Sequence, residues 1–284
     1  MRAAERLAQL DCSTLELEVV ESALIVTVQQ PDTLNALAPA VIADLRSVFE
    51  LLRNSLGRLE EGSVETSFDW SIRGVVLTGG GERAFVAGAD IGALTVMDEA
   101  AVRGYAGEVH ELFEWLETLP VPVIAAVNGY ALGGGSELAL ACDMIYASER
   151  AKFGQPEVAL GIIPGFGGCI RLQRAISPGA AREMIYTGRH VSAVEAQTLG
   201  LVQRVLPTIP DLREAALETI RTLSQQSPAA VQSAKLTLNA VRGIDVSDGI
   251  AIELGAFASR FGSPDMREGT EAFLQKRPAR FPGA

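Results

Sequence analysis

Residues 122–157 read PVIAAVNGYALGGGSELALACDMIYASERAKFGQPE, and the order of signals in this stretch decides the fold class. Pro122 stands just before VIAAV, an unbroken apolar run of strand length, as expected of a strand buried on both faces. Gly133, Gly134 and Gly135 then open an apolar helix, SELALAC. DMIYAS and AKFG follow as short strands. A grammar of strands and helices in this order fits an α/β spiral of repeated turns better than a doubly wound sheet, although no fixed sequence period marks a solenoid.

The same grammar extends outward. LELEVV (Leu15 to Val20) and ALIVTVQQ (Ala23 to Gln30) alternate with period two and predict a hairpin. Pro39 opens a helix whose apolar residues recur at spacings of three and four. The segment Gly57 to Trp70 shows neither period and reads as a surface excursion. SIRGVVLTGGG is a buried strand running into glycines, and Asp98 to Leu119 is a helix with an acidic first turn. From Phe166 onward the signals are almost wholly helical, with a capping box at Ser192 to Glu195 and one late strand in LVQRVLP. The expected division is a mixed α/β body over residues 1–206 and a helical region over 207–284.

Composition narrows the function. The 284 residues are 48% hydrophobic and 21% charged, ordinary for a globular protein, and no apolar run reaches the roughly 18 residues that span a bilayer. The opening MRAAERLAQL carries charges among its apolar positions and does not resemble a signal peptide, so a cytoplasmic location is expected. Cys12, Cys142 and Cys169 are widely spaced and odd in number, which fits reduced thiols. A net charge of −11 disfavours nucleic acid and anionic membranes as partners, so an anionic ligand needs a local basic pocket.

Several chemistries fail on inventory. VLTGGGERA formally fits a dinucleotide fingerprint, but the chain continues as FVAGADIG, which is loop-like, where a fingerprint needs a helix. Ser136 lies in GGSEL and not in GxSxG, and the two histidines, His110 and His190, fall on a helix and in a turn. No metal-binding spacing occurs. What remains is a pair of glutamates. Glu137 sits in the first turn of the glycine-opened helix; Glu157 lies in a turn between Pro156 and Gly161. Each has a plain alternative, helix-dipole complementation for Glu137 and a solvated turn for Glu157. The glycines favour chemistry, because a triplet loses much backbone entropy and suggests a place where an N–H is offered at close range. A second glycine turn, Ala87 to Asp90, could offer another. Two such donors beside two carboxylates are equipment for enolate chemistry.

Four ordered blocks, LTGGGERAFVAGADI, PVIAAVNGYALGGGSELALACD, AKFGQPEVALGIIPGFGG and REGTEAFLQKR, together resemble the enoyl-CoA hydratase/isomerase (crotonase) family, over about Leu15 to Arg280. The resemblance implies a crotonase-like spiral of ββα turns and a C-terminal helical trimerisation region, with trimers usually paired into hexamers. It implies an oxyanion hole from the amides of Ala89 and Gly134, with Glu137 as base, Glu157 as acid and Gly165 helping to hold water. The backbone of Ala87, Gly88, Asp90 and Ile91 would border coenzyme A, Lys276 would reach its phosphates, in a neighbouring subunit if not in its own, and Leu94, Val96 and Met97 would line the acyl pocket. Coenzyme A enters as part of the substrate; no separate cofactor or metal is implied.

The family's hydratases carry a glutamate at both positions, so the resemblance points to water addition across a 2-enoyl-CoA, as in fatty acid β-oxidation. The competing readings are a 3-enoyl to 2-enoyl isomerase, a thioester hydrolase, and an idle RNA-binding or scaffold homologue. Ser136, Cys169 and the longer Gly57 to Trp70 stretch depart from the family pattern without removing a catalytic group.

Overall fold

Helix α1 (Ala3–Leu7) leads into the expected hairpin, in which β1 (Leu15–Val20) pairs antiparallel with β2 (Ala23–Val28). The computed structural model describes residues 2–57 and 68–284, so most of the Gly57 to Trp70 excursion lies outside the described residues. Helix α2 (Pro39–Ser55) begins at its proline, whose missing N–H would be unbonded there in any case.

From this point strands come in pairs. β3 (Gly74–Gly79) and β4 (Ala84–Ala87) precede α3 (Ile91–Leu94) and α4 (Glu99–Thr118). β5 (Val123–Val127) and β6 (Tyr130–Leu132) precede α5 (Gly134–Leu140). β7 (Met144–Ser148) and β8 (Lys152–Gly154) precede a 3-10 helix at Pro156–Leu160, then α6 (Gly168–Ala175) and α7 (Pro178–Thr187). The first strand of each pair joins one sheet, ordered β1-β2-β3-β5-β7 and closed by β10 (Arg204–Leu206); the second joins another, ordered β4-β6-β8-β9, with β9 at Val191–Ser192. All partners from β2 to β10 in the first sheet run parallel. This alternation between two sheets is the spiral.

Two expectations need correction. YAL forms a strand that its sequence does not signal, and β9 adds a second late strand, in the other sheet from β10; at three and two residues each is too short to carry a period, and pairing with β8 on either side supplies what the pattern lacks.

The unbroken apolar runs are explained by burial on both faces. Along β2, Leu24, Val26 and Val28 enter the main core, while Ala23 and Ile25 face the other way. In β5, Val123, Ala125 and Val127 divide from Ile124 and Ala126 in the same manner. The outer set is covered by Leu212, Ala216 and Ile220 of α9 (Ile209–Ser224), the leucine and the isoleucine each contributing roughly 1.5 to 3 kcal/mol.

After α8 (Ala193–Thr198) and α9, the chain ends in α10 (Pro228–Ala240), α11 (Val246–Arg260) and α12 (Pro264–Gln275). The buried Lys235 fastens α10 to the body. Its Nζ donates to the carbonyls of Leu116 and Val121 at 2.8 and 3.0 Å and pairs with Asp143 at 2.8 Å. Asp143 also accepts from the Val123 amide at 2.7 Å, so both charges are satisfied inside the protein. The last residues are tied down by Asp265, which accepts from the Gly283 amide at 2.6 Å, and by the Trp70 indole, which donates to the Gly283 carbonyl at 3.0 Å. Among the described residues no helix is long and apolar enough to cross a membrane.

Candidate active site

Each glycine of the triplet answers a different steric demand. Gly133 caps α5 at φ +49°, ψ −122°, a conformation side chains rarely adopt, and a β-carbon there would stand 2.6 Å from Glu157 Oε1. At Gly134 a β-carbon would press on the Phe166 ring at 3.1 Å and on Leu37 at 3.3 Å. At Gly135 it would fall inside the Val86 carbonyl group, because α5 lies directly on β4. The glycines therefore let a helix start between a strand, an aromatic ring and a carboxylate.

The triplet helix and the turn after β4 share one cavity of about 600 Å³. Ala87, Gly88 and Ala89 form one wall and Gly133, Gly134 and Glu137 another; Glu157, Gly165 and Phe166 complete it. Ala89 makes an isolated parallel bridge with Leu37: Leu37 donates to the Gly88 carbonyl at 2.9 Å and accepts from the Asp90 amide at 3.3 Å. In this pattern the central residue of the trio turns its own N–H away from the partner strand. Ala89 thus presents its amide on the side opposite Leu37, and Gly134, the first helical residue, has no intrahelical acceptor for its own.

Both glutamates reach this cavity. Glu137 is only 1% exposed, and its Oε1 accepts from the amides of Phe166 and Gly168 at 2.8 and 2.7 Å. Burial pushes its carboxyl up to about 7; the nearby Glu157 adds to that rise, while the two amides and the Arg171 charge oppose it. Glu157, on the 3-10 helix, is half-buried and also raised above the ordinary carboxylate range by burial. The buried Gln155 faces it, and with its amide nitrogen turned toward the carboxylate it donates to Oε1 and Oε2 at 3.2 and 3.3 Å.

The other expected residues divide. Ile91 lines the cavity, but the Asp90 carboxylate turns to cap α3 by accepting from the Ala93 amide at 3.2 Å. Lys276 stands at the C-cap of α12, outside the cavity lining of its own chain. Leu94 lines the cavity; Val96 and Met97 do not, and Val96 is 85% exposed. The apolar wall comes instead from Val102 and Ala106 of α4, together with Leu160, Ile162 and Ile163. Period-based reading of α4 could have marked Val102 and Ala106, which share one face one turn apart. The Phe166 and Gly168 amides were missed because backbone donors leave no signal in residue type.

The glycine turn between β3 and β4 has a structural role. Asn128 donates to the carbonyls of Gly79 and Gly81, at 2.9 and 3.0 Å, and Asn35 to those of Gly80 and Ala84, at 3.0 and 2.9 Å. A strand follows it, so no helix N-terminus is available for a pyrophosphate.

Comparison with known proteins agrees with this architecture. The family model described as enoyl-CoA hydratase/isomerase matches residues 18–284. The chain is 37% identical to the short-chain-enoyl-CoA hydratase of Clostridium acetobutylicum over 94% of its own length and 97% of that protein. It is also 37% identical to the crotonyl-CoA hydratase of Syntrophomonas wolfei, over 93% and 96%. Among solved structures, an enoyl-CoA hydratase from Bacillus anthracis superposes with a TM-score of 0.86 at 36% identity, covering 96% of this chain and all of that one.

Proposed function

The chain belongs to the enoyl-CoA hydratase/isomerase family, and from that premise we propose that it hydrates 2-enoyl-CoA thioesters to 3-hydroxyacyl-CoA. The observation that carries the reading is the meeting of Glu137 and Glu157 in one cavity with the outward-facing amides of Ala89 and Gly134. The thioester carbonyl accepts from these two amides, which draws electrons from the double bond and leaves the β-carbon electrophilic. Water attacks there as its proton passes to Glu137, whose second oxygen is left free by the two amides on Oε1. The electron pair of the alkene moves to an enolate held by the hole, and Glu157, protonated, delivers its proton to the α-carbon. Burial raises both carboxyls and the neighbouring Glu157 raises Glu137 further, so the two titrations are coupled.

Gly165 borders the water position, and Ala87, Gly88 and Ile91 border the pantetheine. Lys276 serves the phosphates of a neighbouring subunit. Exposed Ile250, Leu254, Phe257, Phe273 and Leu274 on α11 and α12 support assembly through these helices, as a trimer or a pair of trimers. Crotonyl-CoA hydration followed at the enoyl absorbance tests the proposal. Glu137→Gln and Glu157→Gln should each lower turnover by at least about 100-fold while the protein stays folded. Wild-type rates in both would refute the two-carboxylate mechanism; conversion of 3-enoyl-CoA without hydration would favour the isomerase.

A further inference from the structure

The loop that fixes Glu137 is itself held from outside the cavity. Arg171 of α6 donates from Nη1 to the Phe166 carbonyl at 3.0 Å and forks Nε and Nη2 onto Glu117 at 2.7 and 3.2 Å. That carbonyl belongs to the peptide lying between the two amides that bind Glu137. The guanidinium also packs against Gly167, whose φ is +103° and whose missing β-carbon leaves room for Nη1. It lies 5.6 Å from the centre of the Phe113 ring, and Phe113 meets Phe166 edge-on. Glu117, near the end of α4, is steadied in turn by Asn239 of α10, which donates to its carbonyl at 2.7 Å.

We propose that Arg171 is a positioning residue for Glu137: held in a fork by Glu117, it keeps the Phe166 and Gly168 amides aimed at Oε1 and so keeps this carboxylate in its proton-accepting form. The inference rests on the reading of Glu137 as base. The Gly168 amide, the Phe166 amide and the Arg171 charge are the influences that oppose burial and Glu157 at this carboxyl, and Arg171 bonds the peptide that joins the two amides. Other titratable groups facing the loop are Cys169 on α6, which feels both glutamates, His110 on α4, whose Cε1 lies 3.6 Å from where a Gly167 β-carbon would be, and Tyr105 on α4, which packs edge-on against Phe166 at 5.8 Å and is held neutral by burial. An arginine that acted on Glu137 through its charge alone would move the titration in Arg171→Gln and leave it in place in Arg171→Lys, which keeps the charge.

The test compares Arg171→Gln, Arg171→Lys and the control His110→Gln in two measurements. In the first, kcat/KM for crotonyl-CoA is followed against pH. In the second, the Glu137 carboxyl is titrated by carbon-13 NMR and assigned by difference from Glu137→Gln. Removing the charge and loosening the loop both disfavour the anion, so Arg171→Gln should move the acidic limb and the NMR midpoint upward by roughly half a unit to one unit. Arg171→Lys, which keeps the charge and loses the fork, should move them less, and it carries the test if the glutamine variant does not fold. His110→Gln should leave both in place. A loss equal at every pH with an unmoved midpoint, or a shift as large in the histidine control, would overturn the proposal. If the wild type does not hydrate crotonyl-CoA, the function reading fails, and the NMR midpoints still decide the role of Arg171.

Discussion

Replacing Glu137 by glutamine should make the fold more stable at alkaline pH while abolishing most of the activity. In the folded chain this carboxyl titrates at about 7, against an ordinary value of 4.5. A raised acid contributes its full stability below its unfolded value and loses it as pH climbs through the folded one, so ionised Glu137 weakens the fold above pH 7. At about 1.36 kcal/mol per pH unit the whole effect is roughly 3 kcal/mol, of which about 2 kcal/mol falls between pH 5.5 and 8.5. Glutamine keeps a carbonyl oxygen for the Phe166 and Gly168 amides, so the local structure should persist. Urea unfolding of both proteins at fixed protomer concentration across that range measures the effect as a difference, in which groups distant from the cavity cancel and the coupled Glu157 remains. The glutamine variant should gain on the wild type by about 2 kcal/mol from pH 5.5 to 8.5. A gap that stays constant with pH would show that Glu137 titrates normally, and the electrostatic basis of its role as base would fall.

Gly133→Ala should lower turnover at least about 100-fold, because the new methyl group would stand 2.6 Å from Glu157 Oε1 at a positive φ; steady-state kinetics beside circular dichroism would separate this from unfolding. Lys235→Ala leaves Asp143 buried without its partner and should cost about 3 to 5 kcal/mol in urea unfolding, whereas Lys235→Met with Asp143→Asn should recover much of it. Ser136→Ala should be neutral or raise stability by up to about 1 kcal/mol, since the buried Ser136 hydroxyl has no partner among the described residues; a clear loss would reveal a bond that the geometry lacks.

The strands and long helices were legible because their signal lies in residue type: VIAAV can be recognised as a doubly buried strand, and Pro39 marks a helix start. The two glutamates stood out for a similar reason, as carboxylates set among glycines and apolar residues. What stayed hidden was decided by backbone and by long-range packing. Val96 faces solvent although its type suggests an acyl wall, and Val102 and Ala106 of α4 take that place. Arg171 gave no hint of its place because its partners, Glu117 and the Phe166 carbonyl, are 54 and 5 residues away.

The bridge between Leu37 and Ala89 leaves a main-chain amide facing the cavity, and the start of α5 supplies another. Main-chain groups survive every ordinary substitution that preserves the local path. Libraries that randomise positions 137, 157 and the apolar wall therefore change the cavity's side chains while these two amides keep their places. Directed evolution on such a scaffold begins with two hydrogen-bond donors already set, before any new side chain has been selected.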